Sequence, residues 1–158
     1  MTRRTFLRNV ATASIGLSVR APAIWRSRAQ ATAVVIDAAA LRARIEALSA
    51  FGRPAGGTFA DGVSRVAYSA ADVAGRTYVM DLMRAAGLTP TIDPAGNIFA
   101  RRGGQDPALP PILFGSHIDS VPSGGNFDGD LGSLAALSVV EALDRAKIRT
   151  RHPLEVVV

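Results

Sequence analysis

Hydrophobic positions along the chain follow two rhythms, one helical and one extended. Leu41, Ile45 and Leu48 recur at helical spacing, with Arg42, Arg44 and Glu46 largely on other faces. That spacing predicts a packing helix over about 37–50, with Asp37 as its cap. Val73, Val79, Leu82, Met83 and Ala86 give a second apolar side. Ser69 and Asp72 open this helix in the manner of a capping box, with Asp in place of Glu, and Gly87 suits the left-handed position that ends it. Leu134, Leu137, Val140 and Leu143 mark a third helix over about 131–146. Residues 89–93 and 97–101 read instead as two short strands, an antiparallel edge pair turned by Pro94-Ala95-Gly96. Ile112-Leu113-Phe114 and the run 154–158 read as further strands, the first of them buried.

Helices alternating with apolar strands predict an α/β fold, a mostly parallel sheet sandwiched by helices on both faces. Residues 111–158 form strand–helix–strand, expected as a parallel unit with a right-handed crossover. Ligands of open α/β sheets bind at the carboxyl ends of strands, which directs attention to the loop after Phe114.

Composition changes this picture in two places. The chain has 158 residues, about one domain, and no cysteine. Neither a disulfide framework nor a thiolate metal site is available, so any metal must be held by oxygen and imidazole. The net charge of +5 is a property of one end. Residues 1–31 hold six arginines and no acid, whereas the remainder holds 12 basic and 13 acidic residues. The basic balance is therefore no nucleic-acid footprint.

The first 31 residues have their own pattern. Arg3-Arg4 precede Phe6-Leu7, a mild apolar segment follows over 10–19, and Ala29-Gln30-Ala31 is a small-x-small cleavage signal. This reads as a twin-arginine signal peptide over 1–31, followed by the functional domain over 32–158. The apolar segment is too short to span a bilayer core of roughly 30 Å. The expected location is the periplasm or cell exterior, with no stable membrane association once the signal is removed.

Candidate chemistry concentrates in residues 115–132. His117, Asp119 and Asp128 follow the strand, interleaved with Gly124, Gly125, Gly129 and Gly132. A neutral imidazole and a carboxylate suit zinc and similar divalent ions. Side chains alternate along a strand, so His117 and Asp119 share a direction if the extended geometry continues. Asp119 then either accepts a hydrogen bond from the His117 ring or faces a catalytic water. A glycine-rich bend brings Asp128 back, and its two oxygens suit it to bridge two cations. Arg65 either steadies a neighbouring carboxylate or stands on the surface; the surface reading is preferred, on the general habit of arginine. His152 begins its strand, so it is expected at the opposite edge of the sheet and is not counted as a ligand.

The wording of this loop, Gly115-Ser116-His117-Ile118-Asp119-Ser120-Val121-Pro122 with Gly124-Gly125-Asn126-Phe127-Asp128-Gly129, resembles the amidase–hydantoinase–carbamoylase group of zinc-dependent hydrolases. That group includes allantoate amidohydrolases, N-carbamoyl-L-amino-acid hydrolases and ureidoglycolate-type enzymes, and is related to aminoacylase and dipeptidase metallopeptidases. Gly62-Val63-Ser64-Arg65 with Ala67-Tyr68-Ser69, and Asp93-Pro94-Ala95-Gly96-Asn97, are similar to further phrases of the family. The resemblance implies a zinc-peptidase-like catalytic domain. In it His117 is a metal ligand, Asp128 bridges two divalent ions, zinc or manganese, and Asp119 is the catalytic-site aspartate that orients His117. It implies hydrolysis of a carbon–nitrogen bond, other than a peptide bond, in a linear amide, and a homodimer for the complete enzyme. It covers about residues 37–158, the first third of such an enzyme. The family's general base and remaining ligands come later, so this stretch alone is expected to be inactive. Two other readings stay open: an aminopeptidase or dipeptidase of the same superfamily, and a non-catalytic exported module.

Overall fold

The structure is a computed structural model and describes residues 34–158. The expectations for the signal peptide lie outside the described residues. Among the described residues three α-helices and four strands follow in the order α1 (Ala38–Leu48), α2 (Ala70–Ala85), β1 (Pro90–Ile92), β2 (Ile98–Arg102), β3 (Ile112–Gly115), α3 (Asp130–Arg145) and β4 (Leu154–Val157), with a short 3-10 helix (Phe59–Asp61) between α1 and α2. The first two α-helices start where their sequence directs. The Asp37 carboxylate accepts from the Ala40 amide at 2.9 Å, and the Ser69 hydroxyl accepts from the Asp72 amide at 3.2 Å. Such caps satisfy amides that have no partner within the helix. Gly87, at φ +76°, closes α2. Among the described residues no helix is long and apolar enough to cross a membrane.

The apolar stripes meet in one core. Ile45 and Leu48 of α1, Val79 and Met83 of α2, and Leu134, Leu137 and Val140 of α3 are buried together with Ile98, Ala100 and Val156 of the sheet. Leu143, the last of the expected α3 stripe, is only half-buried. At about 25 cal/mol per Å² of apolar surface removed from water, this cluster is the main source of stability.

The α/β expectation holds, but the sheet is not mostly parallel. Its order is β1-β2-β4-β3, with β1/β2 and β2/β4 antiparallel and only β3/β4 parallel. The cause is local. The tight Asp93–Asn97 turn reverses β2 against β1, and β4 then enters between β2 and β3, against the one and along the other. The parallel unit of β3, α3 and β4 is present as the sequence pattern indicates.

Two further expectations are corrected among the described residues. Ala100, Val156 and Phe114 are register partners and lie on one face, toward the helices. Phe99, Val157, Glu155 and Leu113 lie on the other face, and all are half-buried or exposed. All three helices join the one core, so they cover a single face rather than both. Nor is β3 a buried strand: it is the outer strand of the sheet, and Ile112 and Leu113 are each about half exposed. A short apolar run cannot by itself distinguish a central strand from an edge one.

Candidate metal centre

The loop leaving β3 and the N-terminus of α3 bring the candidate residues together. The His117 Nδ1 lies 3.0 Å from the Asp119 main-chain oxygen. A carbonyl oxygen only accepts, so Nδ1 carries the hydrogen in this contact. In the neutral ring Nε2 then keeps a free lone pair. That nitrogen faces Asp128, with Nε2 3.8 Å from Oδ1. The Asp119 carboxylate stands beside the ring, its Oδ1 3.4 Å from Nδ1. The His117 main chain is tied to α3 as well, since the Ser133 hydroxyl donates to its carbonyl at 3.0 Å. Gly129 is the close approach that permits this. Its φ is +71°, and a Cβ there would lie 2.6 Å from His117 Nδ1 and Cε1.

The separation fits an ion. Nitrogen and oxygen donors each stand about 2.1 Å from zinc, which sets them roughly 3.4 Å apart in a tetrahedron and about 4.2 Å apart if opposed. The 3.8 Å between His117 and Asp128 falls between these limits. The donors are also open, with His117 51% and Asp128 72% exposed at the side chain. Among the described residues no third His, Cys, Asp or Glu completes the cluster. His152 stands apart from it, at the beginning of β4, where its Nδ1 lies 2.9 Å from the Pro110 carbonyl oxygen.

Beside the pair lies a cleft of about 150 Å³, lined by Tyr68, Asp72, Arg76, Asn97, His117 and Asp119, among others. Sequence reasoning did not assign Tyr68 or Arg76 to it. The β1–β2 turn, read only as a structural reversal, forms one wall. The Tyr68 hydroxyl donates to the Ala95 carbonyl at 2.8 Å, and Arg76 donates to the Gly96 carbonyl. Tyr68 sits one residue before a helix cap and takes φ +63°, held there by its amide donating to the Asp72 carboxylate at 2.8 Å.

Behind the loop the structure overturns the surface reading of Arg65. Its residue exposure is 0%, and its guanidinium pairs with Asp130 at 2.5 Å. Burial lifts the Asp130 carboxyl to about 6, against the pull of the Arg65 hydrogen bond and charge. One Asp130 oxygen is buried without a protein partner, in keeping with that direction.

An α/β domain that sets a histidine and a carboxylate 3.8 Å apart, on a glycine-rich loop at a strand end, has donors of the type that hydrolase scaffolds use for a divalent ion. Comparisons with known proteins narrow the class. No family model matches the chain. It is 43% identical over 124 residues to an N-carbamoyl-L-amino-acid amidohydrolase of Pseudomonas sp. (strain NS671), which covers 78% of this chain and 29% of that protein. It is 36% identical over 142 residues to a ureidoglycolate hydrolase of Arabidopsis thaliana, 90% of this chain and 29% of that one. A crystal structure of a hydantoinase/carbamoylase family amidase from Burkholderia ambifaria superposes with a TM-score of 0.73 at 42% identity, covering 78% of this chain and 29% of that one. By this likeness the chain belongs to the hydantoinase/carbamoylase family of amidases. It spans under a third of the length of the relatives it matches.

Proposed function

We propose that the protein carrying this chain is a metal-dependent hydrolase of a carbon–nitrogen bond, other than a peptide bond, in a linear amide. The substrate class is an N-carbamoyl amino acid or a ureido acid of the allantoate kind. The observation that supports this best is the pairing of His117 Nε2 and Asp128 Oδ1 across 3.8 Å, in a chain 43% identical to an N-carbamoyl-L-amino-acid amidohydrolase.

In this reading His117 and Asp128 would hold divalent metal, zinc or manganese, the imidazole serving one ion and the carboxylate having oxygens enough to serve two. When bound, such ions polarise the amide carbonyl and make water a better nucleophile. The chain's own residues prepare the site. Asp119 fixes the His117 tautomer through its main-chain oxygen, and its carboxylate holds the ring's orientation. The adjoining cleft offers Arg76 and Asn97 to the polar groups of a small amide. Water adds to the amide carbon, the C–N bond breaks, and the departing nitrogen takes a proton. Two protein donors are fewer than the three or four that hold zinc firmly. The working site would therefore need further ligands beyond these two. Export by the twin-arginine route to the periplasm or exterior, and a homodimeric complete enzyme, belong to the same proposal.

The test is hydrolysis of N-carbamoyl-L-amino acids, allantoate and dipeptides by the complete protein, before and after chelation and with zinc or manganese restored. Metal-restored turnover of the first two, lost in His117→Ala and Asp128→Asn, is expected. Turnover of dipeptides alone would move the protein to the peptidase branch. Failure to take up metal at all would leave an exported module without catalysis.

A further inference from the structure

Arg65 is a buried cation tied to both arms of the metal loop. Its Nε donates to the Ile118 carbonyl at 2.6 Å, between His117 and Asp119. One terminal nitrogen donates to the Leu48 and Phe51 carbonyls at 2.9 and 2.8 Å. The other donates to Asp130 Oδ2 at 2.5 Å, two residues beyond Asp128. Its main chain adds a second attachment. The Arg65 amide donates to the Ser120 hydroxyl at 2.9 Å, and the Ser120 amide donates to the Arg65 carbonyl at 2.8 Å.

We propose that Arg65 is a positioning residue for the metal pair. Its planar guanidinium locks the His117–Asp119 turn to the first turn of α3, and so sets the span between His117 and Asp128. The proposal rests on the metal reading above. Two physical arguments support it. Burying an ion pair is costly, and an apolar pair of similar volume often stabilises a core as well or better. A charge kept at this place is therefore better explained by what it holds than by net stability. The fork of five donors also reaches four acceptors in fixed directions, which a single ammonium cannot do. The space for it is provided by Gly75 of α2, where a Cβ would lie 2.9 Å from Arg65 Cδ.

The experiment compares wild type, Arg65→Lys and Gly75→Ala in the complete protein that carries this chain. Mn²⁺ affinity is read from the electron paramagnetic resonance of free Mn²⁺, and amide hydrogen exchange is read at residues 117–120 and in α1. The expected result for folded Arg65→Lys is Mn²⁺ binding weaker by about tenfold or more, the scale seen when a partner that orients a ligand is lost. Exchange should quicken at 117–120 while α1 keeps its protection. Gly75→Ala retains the arginine but displaces it, and should move both readouts the same way to a smaller degree. If Arg65→Lys does not fold, Gly75→Ala decides. Unchanged Mn²⁺ affinity and unchanged loop exchange in the folded variant would overturn the proposal. If wild type takes up no Mn²⁺, the metal reading itself fails; the exchange at 117–120 then decides alone whether Arg65 holds the loop.

Discussion

The two sides of the loop that joins β3 to α3 are built in opposite ways. Its back is dry. Arg65 and Asp130 are each 1% exposed at the side chain, and Ser120 is buried against them. Its front is wet: His117, Asp119 and Asp128 stand between 45% and 72% exposed. The contrast assigns different tasks to residues only a few positions apart. Groups behind the loop hold its shape, and in the proposed function the groups in front hold the ion. Damage to the back should therefore cost folding free energy, and damage to the front should not.

The largest effect follows from breaking the back. Arg65→Met removes one partner of a buried ion pair and takes the guanidinium donor from Asp130 and from the Ile118 and Phe51 carbonyls, while the Leu48 carbonyl keeps the Phe51 amide. Removing one member of such a pair costs about 3–5 kcal/mol. Chemical denaturation should show that loss as a lower midpoint with an unchanged slope. A loss below about 1 kcal/mol would mean that the back is not the frame of the loop, and the contrast between the two sides would collapse.

The front should answer only to its ion. His117→Ala removes a half-exposed ring, so without metal its stability should stay within about 0.5 kcal/mol of wild type. Zinc or manganese at a hundred times its dissociation constant should stabilise wild type by about 2.7 kcal/mol. Chelation should remove that gain, and His117→Ala and Asp128→Asn should lack it from the start. Thermal melts with and without metal make the comparison. An equal metal-dependent shift in the two variants would place the ion elsewhere.

Local signals were legible in the sequence, and long-range ones were not. Asp37 and Ser69 cap the helices they were expected to cap, because a cap is decided within four residues. The antiparallel turn at 93–97 and the parallel β3–α3–β4 unit were legible for the same reason. His117 and Asp128 could be paired from the glycine-rich spacing between them. Arg65 could not be placed, because its partner Asp130 lies 65 positions away and nothing local distinguishes a buried arginine from a solvated one. The strand order failed likewise. Whether β4 enters inside or outside β3 is settled by which faces pack, not by any run of residues. The role expected of the Asp119 carboxylate is shared in the structure with its own main-chain oxygen, a choice of acceptor that side-chain chemistry does not reveal.

The smallest effect extends the contrast to a solvent-exposed carboxyl that has partners. The Asn97 side chain donates to Asp93 Oδ2 at 2.8 Å, and the Asn97 amide donates to Oδ1 at 2.8 Å. The Asn97 side chain is the first cause holding the Asp93 carboxyl below its ordinary 3.8, aided by amides of the turn. A carboxyl depressed in the folded state stabilises above its unfolded value, and that contribution is lost as pH falls through the folded value. Asn97→Ala removes the first cause and keeps the amides. The Asp93 titration followed by carbon NMR should move up toward 3.8 in the variant. Its stability deficit should be small at neutral pH and should vanish on acidification, because a protonated Asp93 loses the advantage in both proteins. A deficit that persists once Asp93 is protonated would show that Asn97 acts through the turn's backbone, leaving the paired carboxyl without the energetic share assigned to it.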